Sequence, residues 1–257
     1  MDFTDMMKLE ETSPDRFIGR GPHYPWGGLF GGQIVAQALR AAAATVDPEY
    51  SVHSLHAYFI RKGDAAEPIV FDVERLRDGR SFVTRAVVAA QTGGAILNMS
   101  ASFNKGTAQR YRQALSFPAV AQPNAARDDS WSPMFYRDHI AEGQGRALAW
   151  LRIPDAAPDD RGIAACALAF LSDDLATDAV RSQQQHLDGT KGRQWNGISL
   201  DHAIWFHHVF DGADWQLHDF RCEGLGFPRG LAVGHVYASD GRHLATVAQE
   251  VLLRRAT

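Results

Sequence analysis

The chain has 257 residues, 45% of them hydrophobic and 22% charged, which excludes a disordered or collagen-like chain and leaves one large domain or two small ones. With 26 Lys+Arg against 30 Asp+Glu the formal charge is -4, so the chain as a whole has no attraction to nucleic acid. Cys166 and Cys222, the two cysteines, can build neither a disulfide framework nor a cysteine zinc site.

The opening stretch MDFTDMMKLEETSPDRF has acid where a secretory signal carries base, and no apolar centre, so a cytoplasmic location is expected. The longest run of apolar or small residues is 162–171, about half of the ~20 residues that cross a bilayer, and no membrane span is expected.

After a segment broken by Pro14, Gly19, Gly21, Pro22 and Pro25, residues 29–46 place Phe30, Ile34, Ala38 and Ala42 four apart. That spacing predicts a helix, and its alanine and glycine content predicts one that is enclosed. Four strand-like runs follow at 51–61, 68–77, 81–91 and 95–104, with hairpin signals at 77–79 and 92–94. Residues 106–145 carry Pro118, Pro123 and Pro133 and no sustained period. They read as a linker between a first half, 1–105, and a second half, 146–257. There the order repeats: a helical run at 161–174, then strands at 198–209, 214–223, 229–238 and 243–254. The intervening 175–197 is polar and long, and reads as a lid or binding loop.

At an offset of 147 residues, Tyr58 and Phe59 match Trp205 and Phe206, Asp64 matches Asp211, Gly94 matches Gly241 and Leu97 matches Leu244. A gapless echo over both hairpins implies duplication. Helix plus antiparallel strands, made twice, predicts an α+β fold with two sheets joined edge to edge around two central helices.

Asp173 and Asp174 follow directly on the most apolar run of the chain. A carboxylate there either ends the helix or serves chemistry, because burial without a partner costs several kcal/mol. Alternation along 243–253 turns Gln249 toward the core with Ala245, Val247, Val251 and Leu253. Its buried amide must spend its donors on a structural network or on a reacting group. Alternation also puts Ser199 on one face with Asp201, Ala203 and Trp205. The gapless offset aligns Gln249 with Ser102 and Ser199 with Val52, so one polar site per chain is expected. The run GGLFGGQ at 27–33 opens the first helix, and its N–H groups either bind an anionic oxygen or merely accompany close packing. His202 and His208 share a strand face, but no carboxylate or cysteine stands at convincing ligand spacing. No nucleophile elbow, phosphate loop or zinc helix occurs.

Taken in order, LFGGQIVAQAL, VHSLHAYFIRKGD, VERLRDGRSFVTRAV, LNMSASF, FLSDD, SLDHAIWFHH and VAQEVLLR resemble the type II, TesB-like acyl-CoA thioesterases, which are double hot-dog proteins. The resemblance implies hydrolysis of fatty acyl-CoA by a water that Asp173, Ser199 and Gln249 activate. Ser199 stands where Thr is common, and His208-Val209-Phe210 stands where many members carry Arg-Pro-Phe. It further implies that coenzyme A is part of the substrate with no added cofactor or metal, and that copies associate as a homodimer or homotetramer. N–H groups of Gly31 and Gly32 are expected near the thioester carbonyl, and Arg61, Lys62 or Arg80 near the CoA phosphates. The alternatives are a non-catalytic acyl-CoA binding protein and a hot-dog hydratase or dehydratase. The latter usually pairs its Asp with a His on the catalytic helix, which the helix before Asp173 lacks.

Overall fold

A computed structural model describes residues 1–105, 112–156, 161–190, 194–208 and 210–256. The first half runs α1 (Phe3–Met6), β1 (Glu10–Ser13), β2 (Arg16–Gly19), α2 (Gly31–Ala44), β3 (Tyr50–Phe59), β4 (Ile69–Asp78), β5 (Phe82–Gln91) and β6 (Gly94–Lys105). The second runs β7 (Tyr136–Gly143), β8 (Arg146–Arg152), α3 (Arg161–Leu171), α4 (Ala176–Asp188), β9 (Trp195–Ser199), β10 (Asp201–Phe206), β11 (Gln216–Gly226), β12 (Arg229–Ala238) and β13 (His243–Arg255).

Among the described residues, thirteen strands form one sheet in the order β1-β2-β4-β5-β6-β3-β10-β13-β12-β11-β8-β7, with β9 pairing β13 beside that path. On either side of the antiparallel β3–β10 seam the same six-strand order is repeated. At the seam Ala203 faces His56, flanked by Asp201 opposite Tyr58 and Trp205 opposite Ser54. Exchanging the halves at the 147-residue offset returns that register to itself. The duplication is therefore built into the backbone pairing, and the fold is a double hot-dog.

On β6 and β13, the outer neighbours of the two seam strands, the offset grows by one residue. Ala90 pairs Ala95 across the β5–β6 turn, whereas the matching Tyr237 pairs His243 across a longer β12–β13 turn. The partner of Gln249 in the first half is accordingly Ala101, not the Ser102 expected from gapless comparison. Ala101 and Gln249 are both buried, while Ser102 lies on the other face, 2.8 Å from His53 Nε2.

Both core helices are enclosed as their small-residue content predicts. In α2 the buried set Ile34, Val35, Ala36, Ala38, Leu39, Ala41 and Ala42 runs round the helix, and α2 packs on α3. A Cβ on Gly32 would stand 2.2 Å from the Phe170 carbonyl oxygen, so glycine sets the approach of the two helices. Leu39 and Phe170 are fully buried there, and truncating either to alanine costs ~2–5 kcal/mol.

Three expectations change. Residues 136–143, read as linker, form β7, which pairs β8 through a turn in which Gly143, Gln144 and Gly145 all have positive φ. This edge strand is exposed on both faces over most of its length, which erases the alternation that marks a strand. The linker residues 106–111 lie outside the described residues. Each half also carries six path strands instead of four, because the hairpins β1–β2 and β7–β8 precede the core helices. Finally, 176–188 is a helix and not a loop. Its buried Ala176, Ala179 and Val180 are spaced three and four apart, and it packs on β8, β9, β11 and β12. It ends at Gly189, in the left-handed conformation at φ 62. Residues 191–193 of that expected loop lie outside the described residues. No helix among the described residues is long and apolar enough to cross a membrane.

Candidate active site

α3 ends where Ser172 turns its hydroxyl back onto the Ala169 carbonyl at 3.0 Å, and Asp173 leaves the helix facing the first turn of α2. Phe30, the N-cap of α2, supplies no side-chain cap. Asp173 supplies one from the other half of the chain, its Oδ2 accepting the Gly32 N–H at 2.9 Å. The positive end of the α2 dipole favours a carboxylate at this position. A Cβ on Gly31 would stand 2.5 Å from Asp173 Oδ2, so Gly31 leaves the room in which the carboxylate sits.

From Asp173 a chain of hydrogen bonds runs into the sheet. The Ser199 hydroxyl donates to Asp173 Oδ1 at 3.0 Å. Gln249 Nε2 donates to Ser199 Oγ at 2.8 Å, which turns Gln249 Oε1 to His202 Nδ1 at 2.5 Å. His202 Nε2 in turn lies 2.8 Å from Ser172 Oγ, next to Asp173 in sequence. Gln249 and His202 are fully buried and Asp173 is 6% exposed.

The structure thus brings Asp173, Ser199 and Gln249 together and adds His202. Simple alternation grouped Ser199 with Asp201, Ala203 and Trp205. Leu200 breaks that alternation by separating β9 from β10: its N–H bonds the Glu250 carbonyl and its carbonyl accepts the Phe59 N–H, both at 2.9 Å. Ser199 and His202 then both look inward, while Trp205 is exposed. The Asp201 carboxylate instead accepts the Glu250 N–H at 2.6 Å.

Burial pushes the Asp173 carboxyl above the usual carboxylate range, and the His202 ring with the Ser199, Gln249 and Gly32 contacts draws it partly back. Burial lowers His202, opposed first by the Asp173 charge. The His202 Nδ1–H donates to Gln249 Oε1, and its Nε2 lies against Ser172 Oγ.

Asp174 is occupied elsewhere. Its Oδ1 accepts Trp131 Nε1–H at 2.6 Å and its Oδ2 accepts Arg137 at 3.2 Å, which ties the end of α3 to the segment before β7 and to β7 itself. The Gly32 N–H is committed to Asp173 and is not a donor for a substrate carbonyl. Lys62 packs on Gly28, just ahead of α2, and Arg61 donates to the Gly93 carbonyl. Arg80 lies at the far end of the helix pair, where its carbonyl accepts the Tyr50 hydroxyl at 3.0 Å, and the structure does not bring it to Asp173. Val209, at the departure from the Arg-Pro-Phe pattern, lies outside the described residues. Among the described residues no cluster of three His, Cys, Asp or Glu side chains could hold a metal, and Cys166 and Cys222 are free.

Two family models cover most of the chain: "Acyl-CoA thioesterase N-terminal domain" over residues 20–104 and "Acyl-CoA thioesterase" over residues 129–252. The chain belongs to the type II, TesB-like acyl-CoA thioesterase family. Within that family it is 31% identical to Acyl-coenzyme A thioesterase 8 of Homo sapiens, over 98% of this chain and 88% of that protein. It is 30% identical to Acyl-CoA thioesterase 2 of Haemophilus influenzae, over 97% of this chain and 96% of that protein. Among solved structures, acyl-CoA thioesterase II TesB2 from Mycobacterium marinum matches with a TM-score of 0.83 and 33% identity, over 100% of this chain and 98% of the other.

Proposed function

We propose that this chain hydrolyses acyl-CoA thioesters to the free acid and coenzyme A, with Asp173 as general base. The observation that carries the assignment is the buried chain His202–Gln249–Ser199–Asp173, which ends on a carboxylate at the start of α2. A water held by Asp173, Ser199 and Gln249 gives a proton to Asp173 as its oxygen attacks the thioester carbon. The tetrahedral oxyanion collapses, the C–S bond breaks, and the proton on Asp173 passes to the departing sulfur, which leaves as the CoA thiol. No enzyme-linked acyl group forms, coenzyme A is part of the substrate, and the scheme calls on no further cofactor.

A carboxyl held above its ordinary range by burial is a stronger base than a solvated one, and a positioned base contributes about 10²–10⁴ in rate. The Gly31 N–H, next to the committed Gly32 N–H at the same helix start, is the donor assigned to the oxyanion, a role of about 10²–10³ in kcat. Lys62, packed on Gly28 near the same helix start, is assigned to the CoA phosphates.

Thiol release from short, medium and long acyl-CoAs, run with wild type, Asp173→Asn and Gln249→Ala, tests the reading. Hydrolysis by wild type and a loss of about 10² or more in both variants, with folding intact, is the expected result. Acyl-CoA binding with no thiol release above background would overturn it and leave a binding protein.

A further inference from the structure

The duplication places a second copy of the thioester groove at the opposite end of the helix pair, and there the structure has a cavity of about 470 Å³. Its position follows from the same construction as the Asp173 site. Thr45 closes α2 by bonding the Ala42 carbonyl at 2.8 Å, as Ser172 closes α3 on Ala169 at 3.0 Å. The residue after each is Val46 in the first half and Asp173 in the second. By the strand offsets, Val52 stands for Ser199, Leu55 for His202 and Ala101 for Gln249. Every member of the hydrogen-bonded chain has an aliphatic counterpart.

The cavity is not closed by this replacement. Leu39, Ala43, Val46, Val52, Phe103 and Phe206 line it, and its volume falls in the range of small-ligand sites, about 300–1,000 Å³. Arg40 of α2 also lines it, as do Asp47 and His208. Mostly apolar walls with a guanidinium among them suit a long apolar chain with an anionic end.

We propose that this cavity is a second acyl site, one that binds a fatty acyl chain and does not hydrolyse it. Water activation there lacks a carboxylate, a hydroxyl and an amide at the matching positions, so an acyl ligand is retained unchanged. The identity of the ligand rests on the reading of the Asp173 site as an acyl-thioester site. Both a free fatty acid and an intact acyl-CoA present the required chain and negative charge.

Calorimetric titration with decanoate and, separately, with a non-hydrolysable decanoyl-CoA thioether tests this. Wild type is expected to take two thioether molecules per chain, and Ala43→Trp, which fills the cavity, one. Val46→Asp, which sets a charge against the chain without added bulk, is expected to weaken the second site at least about tenfold and keeps the test alive if the tryptophan variant fails to fold. Decanoate binding lost in the same variants assigns the site to the chain itself, and binding of the thioether alone assigns it to the intact thioester. A single thioether per wild-type chain, unaffected by either variant, overturns the proposal. Thiol release from decanoyl-CoA, measured in parallel, separates the two readings: hydrolysis with one binding site removes only the second site, and two sites without hydrolysis removes only the thioesterase assignment.

Discussion

His202 donates its Nδ1–H to Gln249 Oε1 at 2.5 Å, and this bond decides which end of the Gln249 amide meets Ser199. With Oε1 taken, Nε2 is the end that donates to Ser199 Oγ, and the Ser199 hydroxyl has its proton left for Asp173. In the proposed mechanism His202 is thus a positioning residue that acts on Asp173 through two others.

Replacing His202 by Leu, the residue at the matching position 55, should preserve the fold while freeing the Gln249 amide to rotate. We expect kcat to fall about 10²-fold, as for a small misplacement of reacting groups, with KM changing less. His202→Asn, whose amide can still donate, should recover part of that loss. Equal kcat in the leucine variant and wild type would remove His202 from the mechanism.

The two adjacent aspartates should separate cleanly. Asp173→Asn should lose about 10²–10⁴ in kcat with little change in Tm. Asp174→Asn weakens the pairing with Arg137, a partly buried cation, and should cost ~1–3 kcal/mol of stability while kcat keeps its order of magnitude. Thermal melts and initial rates on the two proteins check both halves, and a reversed pattern would move the base to Asp174.

Gly31→Ala tests the space around the carboxylate. Its Cβ would stand 2.5 Å from Asp173 Oδ2 and 3.0 Å from Phe59 Cζ, so Asp173 must shift. In an ordinary helix this exchange stabilises by ~0.5–1 kcal/mol. Here we expect a loss of kcat of about 10² without a comparable loss of Tm. Full activity in this variant would show that the carboxylate needs no such room.

In α4, burial raises the Asp178 carboxyl to about 7, opposed by Arg181. Its folded value lies above the unfolded one, so its contribution to stability is greatest at low pH and falls as pH rises from the ordinary carboxylate range through about 7. Asp178→Asn should therefore match wild type at about pH 4 and melt ~2–4 °C higher at pH 8. Melting curves at the two pH values decide, and a lower Tm for the variant at pH 8 would show that the Arg181 ion pair outweighs the cost of burial.

The parts of the fold that were legible in the chain are those whose burial is uniform or strictly alternating. α2 and α3 read as enclosed helices because Ala, Gly and Leu occupy every face, and β13 read correctly because Gln249 sits among inward Ala245, Val247 and Val251. β7 was hidden because an exposed edge strand need not alternate. α4 was hidden because the apolar part of its buried face is only Ala176, Ala179 and Val180 between polar residues. Within the site, Asp173 showed itself as a carboxylate after an apolar run, but His202 did not. Its role depends on Leu200 breaking the strand alternation, and on a bond to Gln249, 47 residues away. The match of Gln249 to Ala101 was displaced by one residue because the longer β12–β13 turn leaves no mark in a gapless comparison.

In the proposed mechanism a water, not a side chain, attacks the thioester. A single turnover of acyl-CoA by excess enzyme in heavy-oxygen water, followed by mass analysis of the released acid and of the peptide that contains Asp173, tests this most directly. Heavy oxygen in the acid from the first turnover, with none in Asp173, is the predicted result. Unlabelled acid on the first turnover, with the label appearing later through the Asp173 carboxyl, would identify an acyl-enzyme and contradict the general-base mechanism.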